Sequence, residues 1–130
     1  MKILLFFSVF SLQVEASELT KQIWSQGDDH YLMSYQPSSG ILISENCFND
    51  DVLLDKSKCE AAQILKKKKF FKAPLRSSTG GKNPGAVVCK DVLKQKVVML
   101  KDQKNNENSF CRFEDGSMIV AIYLGSLLKD

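Results

Sequence analysis

The side chains of this chain that could do chemistry are few and scattered. His30 is the single histidine, and Asp28 and Asp29 stand immediately before it. Consecutive residues converge poorly on one ion, whereas oxygen- and nitrogen-ligated sites gather ligands from spaced positions. Asp28, Asp29 and His30 therefore read as a surface turn. A serine nucleophile needs a base and an oxyanion donor. No Gly-x-Ser-x-Gly elbow occurs, and Ser126-Leu127-Leu128-Lys129 matches Ser-x-x-Lys only at the chain's last five residues. Gly80-Gly81-Lys82 shares its ending with a phosphate loop. Arg76 stands where that motif's first glycine belongs, and Asn83 replaces the Ser or Thr after lysine. No catalytic set, cofactor site or metal site emerges.

The four cysteines are Cys47, Cys59, Cys89 and Cys111. A cysteine nucleophile needs a free thiol and a basic partner, and His30 is distant in sequence. The close ligand pairs of a zinc site are also missing. An even cysteine count in an exported domain favours disulfides. Three pairings are open. Cys47–Cys59 with Cys89–Cys111 is favoured, because it joins sequence neighbours and closes each half of the chain separately.

Export itself is read from the first residues. Lys2 precedes the apolar run of residues 3–12, and Val14-Glu15-Ala16 offers short side chains where a signal peptidase needs them. The run is about half the roughly 20 residues that span a bilayer. Residues 1–16 are thus expected to be a signal peptide cleaved after Ala16, delivering the chain to the periplasm or the exterior. Cleavage removes Lys2 and Glu15 together, so the net charge of +3 is unchanged. That modest balance implies no nucleic-acid partner.

Lys66, Lys67, Lys68 and Lys69 form the densest charge run, with Phe70 and Lys72 beside them. A solvated helix face is the plain reading. Contact with an anionic lipid or wall polymer through Lys66–Phe70 and Lys72 is the functional one.

The elements that must position these residues follow from pattern and punctuation. Residues 17–29 read as a helical or loose lead-in around Trp24. Residues 31–35 and 40–44 flank Gln36-Pro37-Ser38-Ser39 and read as a β-hairpin. Ser57-Lys58-Cys59-Glu60 fits a capping box opening a helix from about Lys58 to Phe71, which Pro74 bars from continuing. Residues 72–83 form a linker between two subregions, 17–82 and 83–130, of one compact domain. Asn83-Pro84 is a helix start, because Asn caps orphan N–H groups and Pro lacks the N–H that would go unpaired. The helix carries Val88, Cys89, Val92 and Leu93 at spacings of four, as an apolar stripe. Val97–Leu100 and Phe110–Phe113 read as strands, and Glu114-Asp115-Gly116-Ser117 as a tight turn. Met118–Leu124 fits either a strand or a short buried helix. The sum is an α+β fold, a small antiparallel sheet with two short helices, stapled by disulfides.

Two blocks carry a family likeness: Asn83-Pro84-Gly85-Ala86-Val87-Val88-Cys89, and Phe110-Cys111-Arg112-Phe113-Glu114-Asp115-Gly116-Ser117. Over residues 83–124 the chain resembles a bacterial domain family of unknown function named as hemolysins, with the pattern Asn-Pro-Ala-x-x-x-Cys and then Cys-x-Phe-x-Asp-Gly-Ser. The resemblance implies a short secreted domain. Family members usually carry two further cysteines where this chain has Ile119 and Ile122 or nothing. Their joint loss agrees with a Cys89–Cys111 pair. The expected role is an exported, non-catalytic binding module of the inhibitor kind, whose partner is a protein or an envelope component. The alternatives are an envelope-surface protein using the lysine run and, last, an uncharacterised enzyme.

Overall fold

The computed structural model describes residues 19–49, 52–55, 58–65, 71–72 and 83–129. Residues 1–18, which include the expected signal peptide, lie outside these, as do Lys66–Phe70 and most of the expected linker.

Period-two alternation builds the main body. Strands β1 (Thr20–Gln26), β2 (Asp29–Gln36) and β3 (Ile41–Ser44) form one antiparallel meander. Further along, β7 (Lys96–Asp102), β8 (Glu107–Arg112) and β9 (Met118–Val120) form a second. β3 pairs with β9 and β1 with β7, so the six strands close into a barrel in the order β1-β2-β3-β9-β8-β7. The two subregions read from the sequence thus contribute one meander each to a shared barrel.

Small elements join the meanders. A 3-10 turn (Glu45–Cys47) leads into the short hairpin β4 (Phe48–Asn49) and β5 (Val52–Leu53). Helix α1 (Ala62–Leu65) follows, then β6 (Phe71–Lys72). Helix α2 (Pro84–Val87) widens into a π-helical turn, Val88–Val92. After the second meander come α3 (Ala121–Ser126) and β10 (Leu128–Lys129), which lies parallel to β6.

Several sequence expectations change here. The antiparallel sheet with short helices and two disulfides is present, but the sheet is a closed barrel rather than a small open one. The lead-in around Trp24 is a strand, because Trp24 faces the barrel interior opposite Tyr31. The expected helix to Phe71 is also shorter. Ala62–Leu65 is helical, whereas Phe71 belongs to a strand paired with Leu128. Met118–Leu124 satisfies both of its readings in turn, as three strand residues followed by helix. The π turn, marked by Leu93 N–H donating to the Val88 carbonyl, turns Val92 out of the expected apolar stripe. Val88 and Cys89 are buried, while Val92 is exposed.

The barrel's two faces serve two cores. Trp24, Met33, Leu42, Val98, Leu100, Phe110, Met118 and Val120 fill the interior. Trp24 meets Phe110 edge to face at 5.2 Å, a geometry worth about 1 kcal/mol beyond area burial. The alternate residues Ile41, Ile43, Cys111 and Ile119 point outward, and α1, α2, the π turn and α3 cover them. Both disulfides, Cys47–Cys59 and Cys89–Cys111, lie in this outer core, with Cα separations of 5.2 and 5.6 Å. Such bonds suit an oxidising compartment. Among the described residues, no helix is long and apolar enough to cross a membrane.

Candidate functional site

The two blocks behind the family resemblance are occupied with holding the outer layer. The Asn83 side chain accepts from the Gly85 N–H at 2.9 Å and donates to the Ser109 hydroxyl at 3.2 Å, so it caps α2 and ties it to β8. Gly85 sits where α2 meets α3, and a Cβ there would run into the Ala121 carbonyl.

The second block caps a different helix from across the chain. Asp115 accepts from the Glu60 N–H at 2.8 Å, and the Ser117 hydroxyl accepts from the Ala61 N–H at 3.0 Å. These are the orphan donors at the start of α1. Burial pushes the Asp115 carboxyl up, but the Ser117 hydroxyl and the N–H groups of Glu60 and Ser117 outweigh it. Its pKa falls below the ordinary aspartate value. The expected capping box placed this role on Ser57, which lies outside the described residues. Gly116 has φ +86°, the left-handed region that suits glycine at this turn.

The other sequence candidates do not converge. His30 is exposed on the outer face of β2, opposite Ser25, and Asp28 and Asp29 flank the β1–β2 turn. Among the described residues, no three His, Cys, Asp or Glu side chains are grouped to hold a metal. Ser126 donates to the Tyr123 carbonyl at 2.6 Å. All four cysteines are bonded. Lys66, Lys67, Lys68, Lys69 and Phe70 lie outside the described residues. Lys72 is placed only by its backbone, opposite Lys129. Gly80-Gly81-Lys82 also falls outside.

Two features that the sequence reading missed stand elsewhere on the barrel. On the outer face of the β1–β2 pair, Ile23 and Leu32 are direct cross-strand partners and are 41% and 43% exposed. Met99, on the outer face of β7, is 51% exposed. At one mouth of the barrel, Arg112 of β8 lies in register with Lys96 of β7. The Arg112 guanidinium rests over the Tyr31 ring, 5.9 Å from its centroid. The ion pairs among the described residues are Lys21–Glu45 and Lys101–Glu107, both at 3.4 Å, and neither involves this mouth. Strand parity carries the signal for both features. Ile23 and Leu32 are out of phase with Trp24 and Met33, whereas Lys96 and Arg112 are in phase with Val98 and Phe110. The parity becomes readable only once the register is known.

Among the described residues, the barrel interior is filled and the titratable groups do not gather into one cluster. No family model matches this chain, and no similar protein was found among curated proteins or among solved structures.

Proposed function

We propose that this chain is an exported, non-catalytic interaction module that binds a partner protein through the uncovered side of its barrel. The observation that carries this reading is the exposed apolar set of Ile23, Leu32 and Met99 on a barrel whose interior is already filled. Ile23 and Leu32 are adjacent across the β1–β2 ladder, so their exposure is contiguous. Adjacent exposed apolar side chains of this kind support a contact surface there. The filled lumen argues against a carried small ligand, since carriers keep an open cavity. Two disulfides and the charge-then-apolar start of the chain support the exported assignment.

The test compares the oxidised mature chain, residues 17–130, with its Ile23→Lys/Leu32→Lys variant as baits in envelope extract. The reading expects a partner captured by the first and at least about tenfold less by the second, the loss typical of a central apolar contact. Equal capture by both, with matching circular dichroism, would contradict it.

A further inference from the structure

We infer that Lys96 and Arg112 form an oxyanion-binding subsite at the barrel mouth, walled by Tyr31, which takes a carboxylate or phosphoryl oxygen set. Three observations lead there. The first is register: Lys96 and Arg112 are directly opposite on β7 and β8, on the strand faces that further along carry Val98 and Phe110. Like charges in that relation destabilise a sheet, and an anion between them removes the penalty. The second is orientation. Arg112 is half-buried, and its guanidinium carbon lies over the Tyr31 ring, 5.9 Å from the centroid, which places the head group at the mouth. A guanidinium's fork of N–H donors matches an oxyanion in two-point geometry.

The third observation is the missing counter-charge. Among the described residues, no carboxylate lies within ion-pair distance of either cation. Asp29 heads β2 two residues before Tyr31, and Glu114 follows Arg112 by two, yet neither pairs with them. Behind the two cations the lumen is closed by Val98, Phe110 and Met118. The anion therefore sits at the mouth, over an apolar floor that strengthens its attraction to both charges. Tyr31 and Leu32 are neighbours on β2, so the walled mouth and the exposed Ile23–Leu32 pair share one strand, on its opposite faces. The subsite deepens the interaction-module reading by giving the partner's contact an acidic or phosphorylated group. It rests on that reading only for who presents the group.

Small anions separate the two questions. The oxidised mature chain is titrated with acetate and, separately, with inorganic phosphate at constant ionic strength, following the Arg112 side-chain N–H and backbone amides by NMR. The subsite predicts shifts concentrated on Arg112, Lys96 and Tyr31. It predicts roughly tenfold weaker binding in Arg112→Gln and in Lys96→Gln, the size of one lost charge-assisted hydrogen bond. Lys104→Gln, in the turn between β7 and β8 at the opposite end of the barrel, should change nothing. Tighter acetate binding assigns a carboxylate source, and tighter phosphate binding a phosphoryl one. Shifts spread evenly over the surface lysines, or binding that survives either variant with its amide spectrum intact, would overturn the subsite. Equal partner capture by the wild-type chain and its Ile23→Lys/Leu32→Lys variant, with anion binding intact, would instead overturn the module reading.

Discussion

Inside the barrel, eight side chains meet from strands of up to eight residues, tied by regular ladders. On its outer side the buried residues come mostly from shorter pieces and turns: helices of four and six residues, a five-residue π turn and a three-residue 3-10 turn. The interior core holds no cysteine, and the outer core holds all four. The physical reason is chain entropy. A four-residue helix has barely passed nucleation and is marginal alone, so its segments need to be tied together. Here the ties are two covalent bonds and the caps supplied by Asn83, Asp115 and Ser117. The strands instead support one another, and the side of the barrel that they leave uncovered is the side proposed for recognition.

The comparison can be broken first at the aromatic centre of the barrel. Phe110→Ala removes a fully buried ring packed on Trp24 and should cost about 3–5 kcal/mol in denaturant unfolding. A loss below about 1 kcal/mol would place the folding energy elsewhere. Next is the outer staple. The Cys89→Ala/Cys111→Ala pair opens a loop with a sequence separation of 22 and should cost about 2–4 kcal/mol, read by the same unfolding curves. The exchange protection of α2 and the π turn should fall most. Gly85→Ala drives a methyl group into the Ala121 carbonyl at the α2–α3 crossing and should cost about 1–3 kcal/mol by overpacking. The near-ultraviolet signal of Trp24, which lies in the other core, should be unchanged.

The smallest effect is electrostatic. Asp115 has its folded pKa lowered below 3.8 by its hydrogen bonds to Ser117 and Glu60. A depressed carboxylate contributes stability that is present above its unfolded pKa and is lost as pH falls through the folded value. The wild-type chain should therefore lose this contribution progressively below about pH 4. Asp115→Ala should cost about 1 kcal/mol at neutral pH, as for a lost cap, and should flatten that acid limb. An unchanged acid limb in the variant would remove Asp115 from the account of α1.

Much of the chain's punctuation was legible because it is local. Pro37-Ser38-Ser39 marked the β2–β3 turn, and Asn83-Pro84 marked the start of α2, where the structure shows the Asn83 cap. The cysteine neighbours are the bonded pairs. Thr20–Gln26 escaped as a strand because Gln22 and Trp24 face inward while Ile23 faces out, which blurs the apolar alternation. Barrel closure escaped for a different reason. Its two seams rest on Trp24↔Asp102, Ser25↔Lys101 and Ile43↔Ile119, contacts about 76 residues apart in the chain with no local signature. The contact of Arg112 with Tyr31 likewise joins the two meanders, and so it was equally invisible.

The claim most open to direct test is that the recognition side belongs to a barrel that holds itself together while the outer layer depends on its staples. Hydrogen exchange of the mature chain, oxidised and then fully reduced under native conditions, addresses it. The account predicts that reduction strips protection from Ala61–Leu65 and Ala86–Leu93, while Met33, Leu100 and Phe110 keep most of theirs. Equal and simultaneous loss of protection at both sets of amides would contradict it.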